Sequence, residues 1–184
     1  MTGPAGTRSG RTVVLALGSN LGDRLANLQQ GLAVLCGAGL RCTAVSAVFQ
    51  TAPVGGPEQD DYLNAVLLAD SARPAVEILD RCQQAEAALH RVRTVRWGPR
   101  TLDVDIIACG TEVRASPRLT LPHPRAHERA FVLAPWLDVA PGAELPGYGS
   151  VASLLAAAPN RDGIHRLSEA AACLTLPAET AEGG

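Results

Sequence analysis

Arg91-Val-Arg-Thr-Val-Arg-Trp-Gly-Pro-Arg-Thr-Leu-Asp-Val-Asp-Ile106 places four arginines in ten residues, turns at Trp97-Gly98-Pro99, and closes on two aspartates two positions apart. Leu102, Val104 and Ile106 alternate with Asp103, Asp105 and Ile107, the period of a β-strand with one buried face. Asp103 and Asp105 then share the other face, their Cα atoms about 6.5–7 Å apart on a rise of about 3.3 Å per residue. Two like charges that close are costly unless a cation or arginines neutralise them. Mg²⁺ takes one or two protein carboxylates and completes its octahedron with water and phosphate oxygens. Guanidinium groups such as those of Arg91, Arg93, Arg96 and Arg100 grip phosphate oxygens bidentately and stay protonated. The stretch therefore points to a polyphosphate held through Mg²⁺. The plainer reading of an isolated D-x-D is a solvated strand face paired to surface arginines, but a cationic loop leads directly into this one.

Upstream, Thr12-Val-Val-Leu-Ala-Leu17 is a short apolar β-branched run that predicts a buried strand. Gly18-Ser-Asn-Leu-Gly-Asp23 turns the chain, with Ser19 or Asp23 as helix cap. It lacks the third glycine of a dinucleotide loop and the G-K-[ST] of a P-loop, so a tight turn is the preferred reading. Leu21, Leu25, Leu28, Leu32 and Leu35 recur at helical spacing and predict an amphipathic helix stopped at Gly37 and Gly39. Leu40 to Gln50 predicts a second strand, Thr51 to Asp61 a Pro- and Gly-rich loop, and Tyr62 to Ala69 a third strand with Tyr62 and Asn64 on one face. From Pro74, Val76, Leu79, Cys82, Ala85 or Glu86, and Leu89 keep helical spacing to about His90. Strand, helix, strand, strand, helix, strand is the split βαβ order of a ferredoxin-like α+β sandwich, βαββαβ, with helices on one face of an antiparallel sheet. The other face and its loops, 51–61 and 91–100, are then left for ligands. Short helices at Ala126 to Leu133 and Val151 to Ala157, and an edge strand at Ile164 to Leu167, are expected to follow.

At 184 residues and 47% hydrophobic content the chain has the size of one domain, expected over residues 12–167. Residues 1–11 and 168–184 are expected to be a disordered N-terminal tail and a flexible C-terminal tail. A net charge of −2 argues against a surface that coats nucleic acid. All 16 basic residues are arginine, a bias that carries no mechanistic weight by itself. The five cysteines (Cys36, Cys42, Cys82, Cys109, Cys173) form no C-x-x-C pair and read as small hydrophobes in a reducing compartment. No signal peptide or membrane span is legible, so a cytoplasmic protein without membrane association, expected to be a monomer, follows.

His123 and His127 are four apart, but Pro122 and Pro124 keep His123 off a helix and no third soft ligand is near, which argues against zinc. His123, Arg125 and Arg129 instead add donors for an anion, and Phe131 offers a ring. A ferredoxin-like sheet that binds RNA through arginines and an aromatic is the competing reading. Only 3% aromatic residues and no R-G-[FY]-type strand weaken it.

Taken together, Leu17-Gly-Ser-Asn-Leu-Gly22, Thr51-Ala-Pro-Val-Gly55 with Asp61-Tyr-Leu-Asn64, Arg91-Val-Arg93, Arg96-Trp-Gly-Pro-Arg-Thr-Leu-Asp-Val-Asp105, and Leu121-Pro-His through Arg129-Ala-Phe131 resemble one family, the 6-hydroxymethyl-7,8-dihydropterin pyrophosphokinases of folate biosynthesis. The resemblance implies transfer of pyrophosphate from ATP, the co-substrate, to the hydroxymethyl group of 6-hydroxymethyl-7,8-dihydropterin, releasing AMP. It implies Asp103 and Asp105 as ligands of two Mg²⁺ ions, with Arg91 and Arg100 beside them as catalytic arginines. Gln83, Arg93, Arg96, Arg100, His123 and Arg129 match ATP contacts. Thr51, Val54, Tyr62, Asn64, Trp97 and Phe131 match the pterin site, where two rings sandwich the heterocycle and an amide reads its polar edge. Two departures stand out: the loop between Arg93 and Trp97 is one residue shorter than the family pattern, and Pro124 replaces an aromatic. A ferredoxin-like RNA-binding module and a nucleotide-sensing module without turnover are the alternatives.

Overall fold

The computed structural model describes residues 10–37, 40–53, 59–89 and 99–178. Apolar runs in β1 and β4 and apolar–polar alternation at the start of β5 build a sheet with four main positions: β1 (Arg11–Ser19), a split strand β2 (Arg41–Val45) and β3 (Phe49–Thr51), β4 (Tyr62–Ser71) and β5 (Asp103–Cys109). Helices α1 (Arg24–Gly37) and α2 (Ala75–Ala88) connect them. β1 lies between β4 and β5, and β4 carries β2 and β3 on its far side, every pairing antiparallel. This is the order of a ferredoxin-like βαββαβ sheet, as expected.

The expected continuous strand from Leu40 to Gln50 is broken at Ser46. Its hydroxyl accepts the Val66 N–H (2.9 Å) while its own N–H reaches the Val66 carbonyl (2.9 Å). The next amide, Ala47, donates to Asp138 (2.8 Å), so the ladder resumes only at Phe49. α1 starts later than the leucine spacing suggested: Asp23 caps it by accepting the Ala26 N–H (3.0 Å). Leu21 therefore precedes the helix and is exposed, whereas Leu28, Leu32 and Leu35 are fully buried. Gly31 lies against Leu102, whose Cδ2 is 2.7 Å from where a Cβ would stand, so α1 packs closely on the residue leading into β5.

Leu15, Leu17, Leu63, Leu67, Val104 and Ile106 face α1 and α2 in one core. The opposite face is not open. Hairpins β6 (Arg114–Ala115)/β7 (Thr120–Leu121) and β8 (Glu144–Leu145)/β9 (Gly149–Ser150) accompany two further helices, α3 (Ala130–Val139) and α4 (Val151–Ala157). Val132, Leu133, Trp136 and Val151 of these helices bury Val14, Val66 and Ile107 in a second core. Pro135 sits inside α3 without ending it. β10 (Ile164–Arg166) adds the expected edge strand, against β3.

Two other expectations change. Beyond residue 167 the chain packs as far as Leu176: Ala172 and Leu174 join the first core, Leu176 lies against it, and Gln29 exchanges two hydrogen bonds with Thr175 (2.8 and 2.9 Å). Residues 1–9 and 179–184 lie outside the described residues, and the strand begins at Arg11. Cys36 and Cys42 are not separate hydrophobes but a disulfide joining the end of α1 to β2, Cα–Cα 5.6 Å. Cys82 and Cys109 are buried thiols as expected, and Cys173 is exposed. No helix among the described residues is long and apolar enough to cross a membrane.

Candidate active site

Strand register assembles the site. Phe49, Asn64, Gly18 and Asp103 are successive cross-strand partners, so they form one row across β3, β4, β1 and β5 on one face of the sheet. Ala16 stands opposite Asp105 one step along, and Tyr62 opposite Thr51 one step the other way. The row lies at the end of the face that α3 covers farther on. Gly18 is the floor of this row: a Cβ there would stand 3.3 Å from the Asn64 Oδ1 and 3.6 Å from Tyr62. A side chain at 18 would fill the space between the aspartates on β5 and the polar pair on β4.

Each aspartate has an arginine. Arg100 donates from Nη1 to Asp103, and Arg129 donates from Nη1 to the Asp105 Oδ2 at 3.0 Å. The two carboxylates face the same way yet neither charge stands alone, which offsets their mutual repulsion. His123 Nε2 lies 3.7 Å from the same Asp105 oxygen and 3.4 Å from Arg129 Nη1. His123 Nδ1 accepts the Arg125 N–H (3.1 Å), so a neutral ring carries its proton on Nε2, toward Asp105. Burial holds the His123 pKa below the usual imidazole value, helped by Arg129 and Arg125 and opposed by Asp105. At pH 7 this is a neutral donor aimed at an anionic position. Arg129 also lies over the Phe131 ring, 5.6 Å from guanidinium carbon to centroid.

On β4, Asn64 is buried and donates to the Thr51 hydroxyl (2.9 Å), which fixes the amide and leaves its carbonyl oxygen beside Gly18. Three side chains that sequence reasoning did not single out hold this frame. Glu86, spaced as a core position of α2, is a buried carboxylate that accepts the Val104 N–H (2.9 Å), pinning the strand between the two aspartates. Asn20, read as a turn residue, is 1% exposed. It accepts the Arg100 N–H (2.8 Å) and donates to Gln59 (2.8 Å) and the Asp60 carbonyl (3.3 Å). Asp61 in turn accepts from Gln50 (2.7 Å), while its carbonyl accepts from Arg24 (2.7 Å). A signal for Asn20 existed in its place between two glycines; the helical spacing offered Glu86 as a core position but not its hydrogen bond to the Val104 amide.

Of the residues expected in the site, Asp103, Asp105, Arg100, His123, Arg129 and Phe131 fall into one cluster, and Thr51, Tyr62 and Asn64 lie on the same sheet face beside it. Gln83 is exposed on α2, on the other side of the sheet, and is not part of the hydrogen-bonded group around Asp105. Val54, Arg91, Arg93, Arg96 and Trp97 lie outside the described residues. Among the described residues no three acidic, His or Cys side chains form a preformed metal cage. Two carboxylates on one strand face nonetheless suit Mg²⁺, which leaves most of its shell to water and phosphate.

Residues 14–141 match the 7,8-dihydro-6-hydroxymethylpterin-pyrophosphokinase family (HPPK) along its sequence profile. The chain belongs to this family. It is 52% identical over 144 residues to the 2-amino-4-hydroxy-6-hydroxymethyldihydropteridine pyrophosphokinase of Mycobacterium tuberculosis, covering 72% of this chain and 74% of that protein. It is 43% identical to the Bacillus subtilis pyrophosphokinase of the same description over 126 residues, 68% of this chain and 75% of that protein. The fold is similar to a crystal structure described as HPPK-DHPS in complex with substrates, with a TM-score of 0.65 at 9% identity over 86% of this chain. It is likewise similar to Plasmodium falciparum HPPK-DHPS, wild type with pterin and p-hydroxybenzoate, with a TM-score of 0.61 at 10% identity over 88% of this chain. The chain spans under half the length of those two HPPK-DHPS chains, 46% and 47%.

Proposed function

We propose that this HPPK-family chain transfers pyrophosphate from ATP to the hydroxymethyl group of 6-hydroxymethyl-7,8-dihydropterin and releases AMP. The observation that carries the reading is the row in which Gly18 separates the Asp103/Asp105 carboxylates from Asn64 and Thr51. It sets an anionic, metal-suited floor beside a fixed amide.

Asp103 and Asp105 would hold Mg²⁺, two ions in this reading; bound there, Mg²⁺ neutralises polyphosphate charge and orients it for in-line attack. Arg100 and Arg129 already point their guanidinium groups at these carboxylates and supply fork donors for phosphate oxygens as the triphosphate arrives. Neutral His123 adds an N–H donor without adding charge. Asn64, held by Thr51, presents a carbonyl acceptor to the amino edge of the pterin, and Tyr62 and Phe131 supply ring faces. Glu86 keeps the β5 backbone in register so that the two carboxylates keep their spacing. Val54, Arg91, Arg93, Arg96 and Trp97 complete the proposed ATP and pterin sets. The coverage of the sheet by α3 and α4 also favours a small-molecule site over an RNA-binding sheet, since the face such a module would expose is packed.

Product analysis tests the reading. Incubation with ATP, Mg²⁺ and hydroxymethyl-dihydropterin should yield AMP and the pterin diphosphate in equal amounts; ADP as the nucleotide product would reject it.

A further inference from the structure

His123 and Arg129, the two groups on Asp105, belong to one short segment, and the structure shows how that segment is held. Its start is anchored by the His123 N–H on the Ile107 carbonyl of β5 (2.9 Å), and its end by the Arg129 carbonyl, which accepts the Val132 and Leu133 N–H groups of α3 (2.9 and 3.0 Å). Between these anchors the chain makes a single 3-10 turn, Ala126–Glu128. Ala126 is buried in the second core. The Arg125–Glu128 ion pair is local and exposed, so it fixes little.

Besides buried Ala126, His127 ties the turn to another element. The His127 ring stacks on Tyr148, centroids 4.4 Å apart and planes 15° from parallel. His127 Nδ1 is buried and has no hydrogen-bond partner among the described residues, so ring stacking rather than a polar contact is what holds this nitrogen's side of the imidazole. Tyr148 sits at the tip of the β8/β9 hairpin between Gly147 (φ 77°) and Gly149 (φ 91°), a left-handed backbone that side chains other than hydrogen resist. Its N–H closes the turn on the Leu145 carbonyl (2.9 Å), and Leu145 and Val151 bury the hairpin's base in the second core. The hairpin thus presents a tyrosine that is 44% exposed as a residue and whose ring stacks on His127.

We infer that Tyr148 is a positioning residue for the nucleotide half of the site: by stacking on His127 it holds the 123–129 turn so that His123 and Arg129 meet Asp105. The inference rests on the reading of Asp105 as part of the ATP-phosphate site. A stacked pair of this kind contributes about a two- to tenfold factor in an equilibrium beyond its area burial. That factor should appear in ATP binding and not in acceptor binding, because Thr51, Tyr62 and Asn64 are held by β3 and β4.

The test compares wild type with Tyr148→Phe, Tyr148→Leu, Tyr148→Ala, His127→Ala, the Tyr148→Ala/His127→Ala pair, and Asp105→Ala. The dissociation constant of a methylene-bridged ATP analogue with Mg²⁺ is measured for each, with KM for ATP and for the acceptor and the thermal midpoint for each variant that turns over. Tyr148→Ala should weaken the analogue about two- to tenfold and raise the ATP KM similarly, with the acceptor KM unchanged. Tyr148→Phe should restore wild-type values, and Tyr148→Ala should add nothing once His127 is alanine. If Tyr148→Ala fails to fold, Tyr148→Leu, which keeps bulk without a π face, takes its place with the same expectation. Unchanged analogue affinity, equal loss for ATP and acceptor, a Phe variant as damaged as Ala, or an undiminished effect without His127 would each overturn the inference. Asp105→Ala separates the two levels: if it binds the analogue like wild type, the site reading itself has failed. If Asp105→Ala loses binding and Tyr148→Ala does not, only the positioning role has.

Discussion

Replacing Asn20 by alanine should remove the side-chain clasp between the two loops that flank the site, leaving only its backbone N–H on the Arg100 carbonyl (3.1 Å). The side chain is 1% exposed and makes three hydrogen bonds: it accepts from the Arg100 amide (2.8 Å) and donates to Gln59 (2.8 Å) and the Asp60 carbonyl (3.3 Å). At about 1 kcal/mol net per hydrogen bond, the loss amounts to about 2–3 kcal/mol, since Asp60 lies at the surface where water can replace one partner. For a domain of this size that corresponds to a fall in Tm of about 4–12 °C. The more specific signature is local. The Arg100 amide, which begins the descent into Asp103, should lose its protection from hydrogen exchange in Asn20→Ala. Asn20→Asp keeps the acceptor and should keep that protection while losing the donors to the 59–60 side. Scanning calorimetry together with amide exchange read by NMR makes the comparison. An Asn20→Ala protein with a wild-type Tm and a still-protected Arg100 amide would refute the clasp.

Two further outcomes follow from packing and burial. Gly31→Ala should destabilise the protein by about 1–3 kcal/mol in urea despite alanine's better helix propensity, because its Cβ would meet Leu102 at 2.7 Å; a stabilised variant would contradict the close approach. In thiol labelling of the native protein at pH 8, Cys173 should react, Cys82 and Cys109 only after unfolding, and Cys36 and Cys42 only after reduction; native labelling of Cys36 would contradict the disulfide. Burial, then the charges of Glu86 and Asp105, push the Cys82 thiol up to about 12 from its ordinary 9.0. The unfolded chain therefore releases this proton first. Its contribution is complete below pH 9 and is lost as pH rises toward 12, by about 1.4 kcal/mol per pH unit, a slope that Cys82→Ala should remove.

The strands and helices were legible because their apolar residues recur at periods of two and about 3.6, and Asp103 and Asp105 declared themselves by alternating with buried Val104 and Ile106. What escaped depends on partners distant in sequence. Ser46 splits a strand because Val66 and Asp138 compete for its neighbourhood, and no local pattern announces either. Leu174 reads as part of a flexible tail until Gln29 supplies Thr175 with hydrogen bonds. Glu86 occupies a helical core position, where a carboxylate is tolerated only because the Val104 amide faces it. The second core was missed for a related reason: α3 carries apolar residues on nearly every side around Pro135, so its burial is visible only against Val14, Val66 and Ile107. Cys36 and Cys42 are six residues apart, and only the return of the chain from α1 into β2 makes them neighbours.

In the proposed reaction the Asp103/Asp105 strand holds the polyphosphate whose transfer the Asn64 side of the row receives. Quantifying AMP and pterin diphosphate from ATP, Mg²⁺ and hydroxymethyl-dihydropterin, for wild type beside Asp105→Asn, tests it most directly. Wild type should give equal amounts of both products and none without Mg²⁺ or acceptor, and a folded Asp105→Asn protein should lose at least about a hundredfold in turnover, the scale at which removing a group that stabilises transition-state charge is felt. ADP as the product, or near-wild-type turnover in Asp105→Asn, would contradict it.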